Sequence, residues 1–180
     1  MIAGLSRDRS DAEIDMTRDI RFIADVMLGK LTKWLRVMGI DVLYDPDATD
    51  VQLLRRAECR GRILLTRDRH MVRRRGVPQC LSIESDYYHE QVRQVIQAFH
   101  LADRLQLFSR CLQCNQLLDA VAKEVVADRV PPYVYATQIA FKYCAICHRV
   151  YWGGTHRDNM LRQLQEMLNG GLINSSESVY

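Results

Sequence analysis

The stretch RFIADVMLGKLTKWLRVMGIDVLY, residues 21–44, decides the fold. It opens with Arg21-Phe22-Ile23-Ala24-Asp25, a short apolar run of the kind that makes a buried strand. Leu28, Leu31, Leu35 and Met38 then recur at helical spacing, and Gly39 is a natural stop for that helix. Residues 40–44 form a second apolar run. A strand, a helix and a strand in so short a span make a βαβ unit, and the rest of the first half repeats it. Asp45-Pro46-Asp47 reads as a turn. A helix follows with Thr49 or Asp50 at its N-cap, Leu53, Leu54 and Ala57 inward, and Gly61 just past its end. Residues 62–66 make a third strand, and Asp68 opens a short helix that stops near Gly76. Residues 77–83 make a fourth strand. Ser85 or Asp86 then caps a helix with Tyr88, Val92, Val95, Ile96 and Phe99 on one face. The expected fold is α/β, a parallel sheet covered on both faces by helices.

The second half is organised by cysteine. After a helix expected near 101–107 come two Cys-x-x-Cys knuckles, Cys111/Cys114 and Cys144/Cys147. Four thiols in two close pairs are what a tetrahedral zinc ion needs, and a set of four cysteines leaves no open coordination position. Zinc here is therefore structural, clamping the ends of a small β-rich segment. Its strands are expected around 117–122 and 139–143, with Val130-Pro131-Pro132-Tyr133 as a rigid turn. Cys144 to His148 also match the C-x-x-C-H pattern of covalent haem attachment, but that leaves Cys111 and Cys114 without a role. A redox dithiol needs one pair beside a thioredoxin-like βαβ pattern, and neither knuckle sits in one. Cys59 and Cys80 read as small buried hydrophobes. A last helix starts at Thr155 or Asp158 and carries Met160, Leu161, Leu164, Met167 and Leu168. The expected division is a leader over 1–20, an α/β domain over 21–107, a zinc ribbon with its helix over 108–168, and a frayed tail over 169–180. Met16 is an alternative start.

Composition is that of an ordinary globular protein, with 48% hydrophobic and 26% charged residues. No apolar run reaches the ~18 residues of a membrane span. The polar first residues hold no signal core. A cytoplasmic protein with no membrane partner is expected, and there paired cysteines serve metals more often than disulfides. The net charge of +3 is unevenly spread: nine arginines fall between Arg55 and Arg75, against Glu58 and Asp68. Such clustering suits a phosphate-rich partner, while the bland alternative is a solvated face.

Residues that follow the strands of a parallel sheet share one edge, where open α/β sheets bind ligands. Asp25 ends the first strand, and Asp68 lies two residues beyond the third. Asp86 follows the fourth, and Asp50 sits at the helix N-terminus reached from the second. Carboxylate oxygens are the ligands Mg²⁺ or Mn²⁺ prefer. The bland reading makes Asp50, Asp68 and Asp86 N-caps, each stabilising by about 1 kcal/mol. Asp25, followed at once by Val26-Met27-Leu28, is the hardest to explain that way. An acidic metal site beside arginines is what phosphodiester hydrolysis requires, because the cation neutralises the phosphate and acidifies water. Arg67 and Arg69 flank Asp68, and Lys30, Lys33 and Arg36 recur on the first helix. These five are the candidate phosphate contacts, the helix cations having solvation as their alternative role.

Several of these stretches together resemble the Mut-seven C-terminal RNase domain family. They are Asp25-Val26-Met27-Leu28-Gly29-Lys30-Leu31, Trp34-Leu35-Arg36, Leu64-Leu65-Thr66-Arg67-Asp68-Arg69, Cys111-Leu112-Gln113-Cys114-Asn115, Arg129-Val130-Pro131-Pro132-Tyr133-Val134 and Cys144 to Trp152. The resemblance implies a PIN-like nuclease fold joined to a zinc ribbon, and metal-dependent RNase activity. By position, Asp25 and Asp68 match acids of that site, Asp50 its middle acid, and Asp86 a further one. The four cysteines match the ribbon's zinc ligands. The reading is a cytoplasmic ribonuclease with Mg²⁺ or Mn²⁺ at Asp25, Asp50 and Asp68. Lys142, Arg149 and Arg157 are candidates for a second RNA surface on the ribbon; Tyr151 and Trp152 read first as the small core beside the knuckle, with base stacking as the alternative. The alternatives are an RNA-binding module without catalysis, for ribosomal or transfer RNA, and a toxin-like nuclease controlled by a partner protein.

Overall fold

Strands β1 (Arg21–Ala24), β2 (Asp41–Tyr44), β3 (Ile63–Thr66) and β4 (Cys80–Ser82) form one parallel sheet in the order β2-β1-β3-β4. The computed structural model describes residues 20–73 and 76–168. The expected leader (apart from Ile20), Arg74, Arg75 and the tail lie outside the described residues. Helices α1 (Gly29–Val37), α2 (Asp50–Cys59), the short α3 (Arg69–Val72) and α4 (Tyr88–Ala98) alternate with the strands. Side chains alternate across each strand, so β1 feeds two cores. Phe22 and Ala24 pack with α1 and α4, and Ile23 packs with Leu53, Ala57 and Met71 on the other face. Short strands buried on both sides read as unbroken apolar runs, which is why the sequence shows them clearly.

The chain steps from β1 to β2 on one side, then crosses back to place β3 on the other side of β1. Neighbouring crossovers therefore diverge above the carboxyl ends of β1 and β3. That reversal is the topological switch point at which open α/β sheets form their binding crevice.

The second sheet is antiparallel, β5 (Asp119–Val121), β6 (Phe141–Tyr143) and β7 (Val150–Trp152), with α5 (Pro132–Thr137) in the β5–β6 connection. Phe141, Val126 and Val130 form its small core. The final helix α6 (Thr155–Met167) leaves the ribbon and packs on α4, burying Met160, Leu164 and Met167 in the larger core. Arg93 Nε donates to the Met167 carbonyl at 2.6 Å. Each such buried side chain contributes about 1.5–3 kcal/mol, so α6 ties the far end of the ribbon to the α/β domain.

Some local expectations are corrected. Residues 101–107 hold only a single 3-10 turn, Ala102–Arg104. The Pro131-Pro132 turn continues into α5, with Pro132 at the first helical position, where a missing N–H costs nothing. Neither Ser85 nor Asp86 caps α4, whose N-cap is Tyr87. Cys59 is exposed and Cys80 half-buried rather than both being core residues. Thr49 does cap α2, in a reciprocal box with Gln52. Among the described residues no helix is long and apolar enough to cross a membrane.

Candidate active site and cysteine metal centre

At the switch point, one hydroxyl bonds the Asp25 carboxylate and the Asp68 backbone. Thr66, fully buried at the end of β3, donates from Oγ1 to Asp25 Oδ2 at 2.7 Å and accepts from the Asp68 N–H at 3.0 Å. Asp25 is 6% exposed, its N–H donates to the Leu65 carbonyl, and its Oδ1 accepts from the Met27 N–H at 3.3 Å. Asp68 Oδ1 accepts from the His70 N–H at 2.7 Å. Both acids therefore cap short helical turns, as the bland reading requires. Capping alone does not explain a carboxylate sunk beneath the edge of a sheet, where burial opposes its charge. Asp50 lies exposed in the first turn of α2. Asp86 is exposed and forms an ion pair with Arg67. Among the described residues no three acids bring oxygens within 4.8 Å of one another; only the four cysteines bring ligand atoms that close. Thr66 thus links the Asp25 carboxylate to the Asp68 backbone, and Asp50 and Asp86 are exposed.

The cysteine centre is built by two matching knuckles. Cys111 N–H donates to the Gln116 carbonyl and Cys144 N–H to the Arg149 carbonyl. Asn115 and His148 donate back to the carbonyls of Cys111 and Cys144. The residue after each second cysteine is left-handed, Asn115 at φ 70° and His148 at φ 59°, a conformation in which asparagine and histidine are enriched. Sulfurs from opposite knuckles meet at 3.3 Å, Cys111 with Cys147 and Cys114 with Cys144. All four lie within 4.8 Å, a spacing that suits a tetrahedron with ~2.3 Å metal–sulfur bonds. Burial opposes ionisation of Cys111, but hydrogen bonds from Tyr151, Cys114 N–H and Cys147 outweigh it and lower its pKa to about 6. Burial, with the Cys144 thiol and the charge on Cys111, pushes Cys114 up to about 12. A cation among the four sulfurs would favour the thiolate form of each.

A family model described as the Mut7-C RNAse domain matches residues 20–164. The chain belongs to the Mut7-C RNase domain family. Comparison with curated proteins and with solved structures found no match. In this Mut7-C domain the cationic candidates divide sharply. Lys30 and Lys33 are exposed on α1, with Lys30 Nζ 5.9 Å from the centre of the Tyr88 ring. Arg69 is exposed beside Asp68. Of the nine clustered arginines, Arg56 pairs with Asp45, Arg62 with Asp41 and Arg67 with Asp86. These three are partly fold-internal cations.

Arg36, expected as a phosphate contact, is instead buried at 4% exposure. Its guanidinium donates to the carbonyls of Val42, Leu112 and Gln113 at 2.8–3.2 Å, bolting the first knuckle to α1 and β2. Asn115 completes the bolt, accepting the Val42 N–H at 3.1 Å and donating to Asp41 at 2.8 Å. The expected second RNA surface is likewise diverted. Lys142 donates to the Phe108 carbonyl, Arg157 lies over the Phe108 ring, and the Tyr151 hydroxyl bonds Cys111 Sγ and the Leu112 N–H. Arg149 stays exposed, as does Trp152. Sequence reasoning missed the bonding roles of Thr66 and Asn115. The Leu-Leu-Thr-Arg-Asp run holds a signal for Thr66: a hydroxyl one pleat from a strand-end acid.

Proposed function

We propose that this chain is a metal-dependent ribonuclease that hydrolyses RNA phosphodiester bonds at the β1/β3 crevice, with a structural zinc ion at Cys111, Cys114, Cys144 and Cys147. The observation that supports the reading is the Thr66 hydroxyl at the switch point, which bonds the Asp25 carboxylate and the backbone N–H of Asp68. Mg²⁺ is commonly held by one or two carboxylates plus water and phosphate, so this pair suffices as its protein ligands. Asp25 and Asp68 would hold Mg²⁺ or Mn²⁺, with Asp50 and Asp86 as further acids at the rim. When bound, the cation supplies charge neutralisation at the scissile phosphate and lowers the pKa of water. Thr66 fixes the direction of the Asp25 carboxylate, so no reorganisation is needed when substrate arrives. Asp68 Oδ2 makes no hydrogen bond among the described residues and is the oxygen open to orient a water. Lys30, Lys33, Arg67 and Arg69 hold flanking phosphates, an affinity that falls with salt. Free thiolates suited to zinc fit a cytoplasmic setting.

A second reading, an RNA-binding module that does not cut, is favoured by one fact: both acids already serve as caps and no third acid joins them among the described residues. The test is end-labelled single-stranded RNA incubated with the purified, zinc-quantified protein in Mg²⁺, Mn²⁺ or no added cation, beside Asp25→Asn/Asp68→Asn. Cleavage that needs added metal and is lost in the double variant supports the nuclease. Binding by both proteins without cleavage gives the second reading the lead.

A further inference from the structure

The same sheet edge holds a hollow that the acid pair does not use. It measures about 400 Å³ and lies between the loop after β3, helix α3 and the end of β4. Arg67, Arg69 and Arg73 line it, together with Ser82, Glu84 and Ile83. Arg67 is paired with Asp86. Arg69 and Arg73 are exposed and make no side-chain hydrogen bond or ion pair among the described residues. Three guanidinium groups and the Glu84 carboxylate line the hollow, with Asp86 paired to Arg67 and Asp68 between Arg67 and Arg69 in the chain. Two unneutralised cations facing one concavity repel each other, and an anion bound between them removes that cost.

The shape and chemistry of the hollow narrow the anion. Guanidinium forks match phosphate oxygens bidentately. The volume falls at the lower end of the ~300–1,000 Å³ range of small-molecule sites, the size of one nucleotide. Ile83, 3% exposed, is the apolar residue at the end of β4 that lines the hollow. A terminal phosphomonoester carries about −1.5 to −2 charges and three acceptor oxygens at neutral pH, against one charge on an internal diester. Arg67 and Arg69 flank Asp68 in the chain, so the hollow and the acids share one loop.

We propose that Arg69 and Arg73 bind a terminal phosphomonoester of the RNA whose backbone lies at the Asp25–Asp68 crevice. The inference rests on the ribonuclease reading for its polymer, and on the hollow for its phosphate. It makes the enzyme an end-reader that cuts at a fixed short distance from a phosphorylated terminus.

The test is competition binding by fluorescence anisotropy on the full-length, zinc-loaded protein without added Mg²⁺ or Mn²⁺. Six-nucleotide RNAs with a 5′-phosphate, a 3′-phosphate or hydroxyls at both ends compete against one labelled RNA, and AMP competes in a separate arm. One phosphorylated end is expected to bind about tenfold tighter than the hydroxyl-ended RNA. Arg69→Gln/Arg73→Gln, both at exposed positions, is expected to erase that preference while keeping the far-ultraviolet CD spectrum. Equal affinity for all three RNAs overturns the proposal, as does a preference that survives the double variant. AMP competing as strongly as the phosphorylated RNA assigns the hollow to a free nucleotide and overturns its role in reading RNA ends. A parallel cleavage assay separates the two readings. Cleavage without end preference keeps the nuclease and removes the hollow, whereas end preference without cleavage keeps the hollow and removes the nuclease.

Discussion

Replacing Thr66 with valine keeps the shape of a fully buried side chain and deletes its hydroxyl. Two hydrogen bonds go with it: the 2.7 Å bond to the Asp25 carboxylate and the 3.0 Å bond from the Asp68 N–H. The first is charge-assisted and leaves a buried carboxylate oxygen without a donor, at about 1.5–3 kcal/mol. The second is neutral and partly buried, at about 0.5–1.5 kcal/mol. Thr66→Val should therefore lower stability by roughly 2–4 kcal/mol, which for a chain of this size lowers Tm by about 5–15 °C. Thr66→Ser retains both bonds and loses one methyl group, a cost of about 1 kcal/mol. Urea unfolding gives the stabilities, and cleavage of labelled RNA gives kcat. The serine variant should keep most of the activity and the valine variant should lose it, the reverse of what side-chain volume alone dictates. Equal stability and equal kcat in Thr66→Val would refute the role assigned to this hydroxyl.

Three other perturbations probe the frame around the site. Arg36→Met strips the donors from three carbonyls and should cost about 3 kcal/mol in urea unfolding; a loss of RNA affinity with stability intact would instead return Arg36 to the phosphate track. Gly39 has φ 82°, and a Cβ there would sit 2.3 Å from the Gln106 carbonyl oxygen. Gly39→Ala should thus cost roughly 2–5 kcal/mol, measured by thermal unfolding, with a change below 1 kcal/mol as the contrary result. Burial alone would raise the Asp41 pKa, but bonds from Arg62 and Asn115 and the charge of Arg110 hold it below its ordinary 3.8. A depressed carboxylate adds stability above the unfolded pKa and loses it as pH falls through the folded value. Stability should therefore drop below about pH 4, and Asp41→Asn should flatten that slope in a pH series of urea midpoints.

The cysteine centre was legible because a Cys-x-x-Cys spacing needs no knowledge of the fold to bring two sulfurs to one point. The strand ends that carry Asp25 and Asp68 were legible for a related reason: an unbroken apolar run stops there, and parallel strands end on one edge. The bond of Thr66 to the Asp25 carboxylate and the Asp68 N–H was not legible, since it depends on β1 and β3 lying side by side and on a threonine that reads as an ordinary strand former. Arg36 was misplaced because Lys30 and Lys33 made it look like the third cation of a surface stripe. Its neighbours Trp34, Leu35, Val37 and Met38 are all buried, and a polar residue inside such a run is a signal that its partners lie elsewhere in the chain. Those partners, at Leu112 and Gln113, are 76 and 77 residues away, beyond any local pattern.

Val42 lies on the outer strand of the sheet, and both its backbone groups are occupied, the N–H by Asn115 and the carbonyl by Arg36. During synthesis the strand exists long before its cover, because 73 residues separate Val42 from Asn115. At about 5–20 residues per second the ribosome needs roughly 4–15 s to deliver that cover. The second knuckle, with Cys144 and Cys147, emerges later still. Throughout that interval β2 offers a bare edge, the surface through which strands of separate chains join. If the four cysteines take zinc as proposed, metal that closes the knuckles promptly shortens the interval, and zinc in the growth medium should raise the share of newly made chain that escapes inclusion bodies.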